Sequence, residues 1–234
     1  KNIHSFVELH IEQGPILEKE GISIGAVLGI QGMTWLEAEV VGHEDHAGTT
    51  PMNMRRDALL SVAKMLTAIQ QITKATDEYA MATVGRLMVE PNSINCIPGL
   101  VKFSIDIRHY DDSVRNKLVD IITSELSTIA VADGMHFHLR QIWDINATNF
   151  SQKIVDLIVK SAKQRNYSVK KMISGAGHDA KYMNDVAPTA MIFVPSKEGK
   201  SHCPEEYTSP EDIEKGANVL LSVVTELANM QEPI

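Results

Sequence analysis

Apolar and polar positions alternate with period two over residues 34–41: Leu36, Ala38 and Val40 share one face, and Glu37 and Glu39 point the other way. The alternation returns at Val101, Phe103, Ile105 and Ile107, opposed by Lys102, Ser104, Asp106 and Arg108. It returns again at Met135, Phe137 and Leu139, opposed by His136, His138 and Arg140. Between these segments the period lengthens. Ala58, Leu59, Val62, Met65, Leu66, Ile69 and Ile72 recur at helical spacing, and so do Val114, Leu118, Ile121, Ile122 and Ile129 behind a cap from Asp111, Asp112 or Ser113. One further strand is expected near residues 81–89, before a loop holding Pro91 and Pro98. The order is β-α-β-β-α-β, the ferredoxin-like arrangement, at about residues 32–146. Antiparallel strands with helices on one face bury the apolar positions and leave the other face polar. Such a face with an edge strand suits a dimer or a substrate-facing surface.

The flanking segments read as α/β. Residues 6–11 form a strand ending in the polar loop Glu12, Gln13, Gly14 and Pro15; a helical turn follows at 16–19, closed by Gly21 as a left-handed cap. Residues 24–30 are another apolar strand. Ser151 is expected to cap a helix carrying Ile154, Leu157, Ile158 and Ala162, and a strand at 168–173 runs into Ser174-Gly175-Ala176-Gly177-His178 at a helix opening. Residues 189–194 are wholly apolar, as in a parallel sheet covered on both faces. Pro210 begins a last helix reaching about Asn229. Residues 1–31 and 147–234 are therefore expected to share one α/β domain, into which 32–146 is inserted.

Charge and cysteine usage narrow the class. The 234 residues carry 22 Lys plus Arg against 30 Asp plus Glu, a formal net charge of −8. That balance argues against a nucleic-acid partner and against a polybasic membrane-surface protein. No apolar run approaches the ~18 residues of a membrane-crossing helix, and Lys1, Asn2, Ile3, His4 and Ser5 lack the apolar core of a signal peptide. Cys96 and Cys203 are far apart, neither a disulfide framework nor a paired-cysteine zinc site. A reducing, cytoplasmic setting is the default.

The candidate chemistry lies in loops that follow strands, where open α/β sheets bind ligands. His10, ending a strand, and His202, in the loop after one, suit metal ligation as neutral imidazoles do, although by spacing alone each reads more readily as an ordinary loop residue. His43 and His46 leave a strand, so convergence of both rings on one metal is not expected. One of them acting on a substrate oxygen, or a loop histidine capped by Thr or Asp, are the two readings. Asn95 offers a planar amide or closes a turn. Arg108 forks onto a carboxylate ligand or onto a neighbouring Asp106 or Asp111. Gly175-Ala176-Gly177-His178 is not a dinucleotide fingerprint, though it could hold a carboxylate at a helix start.

Seven motifs in order carry a resemblance over the whole chain. They are Glu8-Leu9-His10-Ile11-Glu12-Gln13-Gly14-Pro15, His46-Ala47-Gly48-Thr49-Thr50-Pro51-Met52, Arg56-Asp57-Ala58, Asn92-Ser93-Ile94-Asn95-Cys96-Ile97-Pro98-Gly99, Asp106-Ile107-Arg108, Ser174-Gly175-Ala176-Gly177-His178-Asp179-Ala180 and Ser201-His202-Cys203-Pro204-Glu205-Glu206-Tyr207-Thr208. This set resembles the amidase/hydantoinase/carbamoylase family of dinuclear metallohydrolases, which includes N-carbamoyl-L-amino acid hydrolase, β-ureidopropionase and allantoate amidohydrolase. The resemblance implies a zinc-peptidase-like catalytic domain, partial in this chain, with an inserted ferredoxin-like lid that pairs into a homodimer. It implies two divalent metals (Zn, or Mn, Co or Ni), one on His10 and one on His202. His46 would stabilise the oxyanion, reaching the partner subunit's site. Asn95 and Arg108 would hold a small carbamoyl or ureido substrate, Arg108 by its carboxylate, and Gln13, Gly177 and His178 would line the pocket.

The family's His-x-Asp motif, bridging aspartate and Glu-Glu pair lie upstream of the first motif, a stretch outside these residues, whose only adjacent glutamates, Glu205 and Glu206, belong to the last motif. One imidazole per metal is too few, so this chain alone is expected to be an inactive fragment of such an enzyme. Gly32-Met33-Thr34-Trp35 stands where allantoate-specific members carry a Gln-Arg pair, which favours the N-carbamoyl amino acid branch over allantoate. A non-catalytic dimerising fragment is the reading from another class.

Overall fold

The structure is a computed structural model that describes residues 3–230. In chain order the elements are β1 (Phe6–Ile11), α1 (Ile16–Glu20), β2 (Ile24–Ile30), β3 (Gly32–Val41), β4 (Asp45–His46), α2 (Ala58–Thr76), β5 (Met81–Thr83), β6 (Leu87–Glu90), β7 (Cys96–Ile97), β8 (Leu100–His109), α3 (Asp112–Ala132), β9 (His136–Ile145), β10 (Thr148–Asn149), α4 (Gln152–Gln164), β11 (Val169–Ser174), α5 (Ala180–Met183), β12 (Thr189–Val194) and α6 (Pro210–Ala228). They fall into two units. One runs to Gln31 and resumes at Thr148; the other is Gly32–Ala147.

In the first unit every residue of β12 is buried, as its apolar run from Ala190 to Val194 requires, and the Thr189 hydroxyl is satisfied by donating to the Ala187 carbonyl. The sheet is mixed rather than parallel throughout: β12 pairs parallel with β1 but antiparallel with β2, and β11 lies parallel along β2. Ile154, Val155, Ile158 and Ala162 of α4 and Val219, Val223 and Leu227 of α6 complete its core. Each large apolar side chain so buried contributes about 1.5–3 kcal/mol. Gly216 lets α6 close down, since a Cβ there would come within 2.7 Å of Leu9 and Val194 side-chain carbons. Ser209 caps α6 by accepting from the Asp212 amide at 3.1 Å. Ser151 makes no such side-chain cap on α4. Its residue is anchored through the backbone instead, its N–H donating to the Thr189 carbonyl at 2.8 Å.

In the second unit the sheet order is β5-β8-β3-β9, with β6 also on β8. Counted as the four strands of a βαββαβ unit, this is the ferredoxin-like order. The register sets Leu36 opposite Ile105 and Ala38 opposite Phe103, which puts the alternating apolar residues on one face. Helices α2 and α3 cover that face with Val62, Met65, Leu118, Ile122 and Leu126. Asp57 caps α2 through the Leu60 amide, and Asp111 caps α3 through Ser113 and Val114. The single strand expected near 81–89 is two strands. Thr83 pairs with Asp106 but Leu87 pairs with Phe103, four steps against three, so one extra residue bulges between them.

Candidate functional site

The first unit gathers its polar side chains at the end of β1. Glu8 and His10 are two residues apart on one strand, hence on the same face. His10 Nδ1 donates to its neighbour's carbonyl, Ile11 O, at 2.8 Å, which leaves Nε2 with its lone pair. The segment after β11 brings His178 against them: the two imidazole centroids are 4.6 Å apart, edge to face. Ser174 Oγ donates to Ala176 O and sits 2.8 Å from His178 Nε2, so that nitrogen carries the proton and Nδ1 keeps its lone pair. Nδ1 faces Glu8 Oε1 at 3.9 Å, while Glu8 Oε2 accepts from the Ala180 amide at 2.9 Å. Burial, followed by the positive field of His10, lowers His178 to about 4. Burial likewise pushes the Glu8 carboxyl above its ordinary value. One ligand atom from each of Glu8, His10 and His178 lies within 4.8 Å of the other two.

A second cluster joins the loop after β1 to the loop after β12. Gln13 Nε2 donates to Ser201 Oγ at 2.8 Å and lies 3.2 Å from His202 Nε2. The Gln13 amide donates to Ser196 Oγ at 3.0 Å. Glu206 accepts from the Ser201 hydroxyl at 2.7 Å and from the His202 amide at 3.0 Å. These bonds, then the fields of His202 and His10, hold its carboxyl below the usual range. Gln13 and His202 both have left-handed backbones, φ 57° and 58°. Gly177 leaves open space where a Cβ would stand.

In the second unit β4 pairs with β7, setting His46 opposite Cys96 and beside Asn95. His46 Nδ1 accepts from the Gly48 and Thr49 amides at 3.0 and 3.2 Å, so its Nε2–H is the outward donor. His43 turns to Asp45 instead, and the two imidazoles do not share a partner. The Ser93 hydroxyl donates to Asn95 Oδ1 at 2.8 Å. Arg108 forks onto Asp106, with Nη2 to Oδ2 at 2.7 Å, which keeps it firmly cationic. Asp111 does not share in that pair; it caps α3.

Thus the fold brings His10 to His178 and Gln13 to His202 in one unit, and His46 to Asn95 in the other. Glu8 and Glu206 complete these groups, and neither stood out by residue type. Glu8 was findable, because a carboxylate two residues from a strand histidine shares its face. The donor set suits a divalent cation: each of His10 and His178 is oriented by a hydrogen bond on one ring nitrogen and free on the other, the usual posture of a ligating histidine.

Residues 1–226 match Peptidase family M20/M25/M40. The chain belongs to that family. Hydrolases of the M20 family are generally metal-dependent, in keeping with the donor cluster. The chain is 37% identical to an N-carbamoyl-L-amino-acid amidohydrolase of Paenarthrobacter aurescens, across 97% of this chain and 55% of that protein. It is 34% identical to an allantoate amidohydrolase of Bacillus subtilis, with the same coverage of 97% and 55%. The crystal structure of an amidase of the hydantoinase/carbamoylase family from Burkholderia multivorans matches with TM-score 0.95 and 42% identity, over 100% of this chain and 56% of that one. The chain spans about half the length of the curated relatives it matches. Among the described residues no helix is long and apolar enough to cross a membrane.

Proposed function

We propose that this chain is the lid and part of the catalytic domain of an M20-family amidohydrolase that cleaves the carbamoyl C–N bond of N-carbamoyl-L-amino acids. The observation that carries the reading is the meeting of the loops after β1 and β12, through Gln13, Ser201, His202 and Glu206. It stands beside a His10 whose free nitrogen is already oriented. His10 and His202 hold two divalent cations, which when bound supply Lewis acidity and a water of lowered pKa. His46 donates from Nε2 to the developing oxyanion and Asn95 adds its amide. Arg108 exchanges Asp106 for the substrate carboxylate. Water and the N-carbamoyl-L-amino acid become carbon dioxide, ammonia and the free amino acid, the proton of the attacking water passing to the departing nitrogen.

Strand geometry supports a dimeric site. Asn95 precedes β8 and Arg108 is its next-to-last residue, 108 − 100 = 8 residues beyond Leu100. At ~3.3 Å per residue Arg108 stands about 26 Å along the strand from Leu100, more than a carbamoyl amino acid spans. With Asn95 before the start of the strand and Arg108 near its far end, our reading is that His46 with Asn95 acts in the site whose Arg108 comes from the second copy. The test is an assay of the protein encoded by the whole reading frame that contains this chain. Hydrolysis of N-carbamoyl-L-amino acids over allantoate is expected; turnover of allantoate alone overturns the substrate assignment. Mixing His46→Ala with Arg108→Ala protein should partly restore activity, because a mixed dimer holds one intact site; no restoration overturns the shared site.

A further inference from the structure

We propose that Arg55 is the positioning residue of His46: its guanidinium fixes the turn whose amides lock that imidazole as an Nε2–H donor. The inference rests on the preceding assignment of His46 to the oxyanion and names what sets its geometry. His46 ends β4 and is exposed, so close packing does not hold its ring. The turn that follows does. The Gly48 and Thr49 amides both donate to Nδ1, at 3.0 and 3.2 Å. Two successive amides reach one nitrogen only where the backbone folds back over the ring. Gly48 permits the approach, since a Cβ there would crowd His46 Cε1 at 3.2 Å. The carbonyls at the two ends of this turn go to one side chain. Arg55 Nη2 donates to Ala47 O at 2.7 Å, and its Nε donates to Thr50 O at 3.0 Å. One planar fork thus spans the turn, and the two amides that grip His46 lie between the carbonyls it holds. The chain delivers Arg55 there through the short helical turn Met52–Met54, closed by the Met54 amide on Pro51 O at 3.0 Å. Arg55 is half-buried, where charge-assisted bonds count for more than on an open surface. A lysine offers a point charge without the fork and does not reproduce the span. A neutral imidazole can carry its proton on either nitrogen, and only the Nε2–H form accepts at Nδ1 while donating outward. The amides hold that form, and Arg55 holds the amides.

The test uses the protein encoded by the whole reading frame, read by histidine ring-nitrogen NMR at mildly alkaline pH and by steady-state kinetics. In the unaltered protein His46 Nδ1 should be a fixed acceptor, coupled across the hydrogen bonds to the Gly48 and Thr49 amides, and Nε2 a fixed donor. Arg55→Ala should lose those couplings and move both ring nitrogens toward the averaged positions of an exchanging imidazole; Arg55→Lys should do nearly the same. On an N-carbamoyl-L-amino acid, kcat should fall ~10–100-fold in either variant, short of the ~10²–10³ that removal of an oxyanion donor costs. KM should stay near the unaltered value, because Arg108 still takes the carboxylate. Added guanidinium should restore part of kcat to Arg55→Ala, and methylammonium should not. Unchanged His46 resonances in Arg55→Ala, full activity in Arg55→Lys, or a loss confined to KM each overturns the proposal. Should Arg55→Ala fail to fold, Arg55→Lys and the couplings of the unaltered protein still decide: no coupling from either amide to Nδ1 overturns it. An enzyme inert toward carbamoyl substrates, whose His46 nonetheless loses its fixed proton in Arg55→Ala, would refute the preceding reading alone and leave the link from Arg55 to His46 standing.

Discussion

Glu12→Ala removes the carboxylate that seats the first turn of α1, and its cost follows from the structure. Glu12 is 7% exposed; Oε1 accepts the Ile16 amide at 2.9 Å and Oε2 the Leu17 amide at 2.8 Å. No other side chain caps this helix, because Pro15 stands at its N-cap. Hydrogen bonds to a charged acceptor contribute about 1.5–3 kcal/mol each. Water reaches Ile16 in the variant, but Leu17 is fully buried, so its amide loses an acceptor without replacement. Desolvation of the native carboxylate offsets part of the gain. The net loss expected is about 3 kcal/mol, a large fraction of the ~5–15 kcal/mol that holds a typical domain together. Glu12→Gln retains one acceptor oxygen and should lose about 2 kcal/mol. Both tryptophans, Trp35 and Trp143, belong to the second unit, so their fluorescence reports that unit while far-UV circular dichroism reports both. In urea, Glu12→Ala should lower the transition seen by dichroism and leave the fluorescence midpoint in place. A loss under about 1 kcal/mol, or a Gln variant as costly as the Ala variant, refutes the capping role.

Two further outcomes are expected in the second unit. Fully buried Arg115 binds Asp112 and the Ile145 carbonyl, and a Cβ on Gly32 would overlap its guanidinium; Arg115→Met should cost about 1–3 kcal/mol from the orphaned carbonyl, and Gly32→Ala should cost less in the Arg115→Met background than alone, an interaction a double-mutant cycle in urea would show or deny. The Ser113 hydroxyl, then the Ser113 and Val114 amides, lower the Asp111 carboxyl. Its stabilisation is present above the ordinary aspartate value and lost as pH falls through the lower folded value, so Asp111→Asn should flatten the decline of the fluorescence midpoint on acidification, and an unchanged decline would contradict this.

The second unit was legible because its signals are local. Period-two strands, two long amphipathic helices and the Asp111 cap follow from residues a few positions apart. What failed there was a count rather than a pattern: a single extra residue between Thr83 and Leu87 splits one strand into two, and hydrophobicity does not register it. The mixed direction of the first unit's sheet was hidden for a different reason. A wholly buried strand such as β12 has no polar face, so its sequence does not say which way its neighbours run. Likewise Ser151 is the right residue type for a cap, but its placement is decided by the Thr189 carbonyl, 38 positions away (189 − 151).

The site divides along the same line. His10 was visible as a polar residue at the end of a strand, and Gln13 and His202 as polar residues in the loops that follow strands. The meeting of His10 with His178 was not, because β11 runs opposite to β12 and its following segment must fold back over the sheet to reach β1. The backbone supplies an independent sign of where this site lies. Gln13 and His202 both adopt left-handed conformations, uncommon outside glycine though less so for histidine. Such strain costs of order 1–3 kcal/mol and persists only where the surroundings over-determine it. Here the Gln13 amide is held by Ser196, the His202 amide by Glu206, and the two side chains meet at 3.2 Å. Two such residues on different loops, each tied by its own amide and facing each other, hold the loop after β1 against the loop after β12.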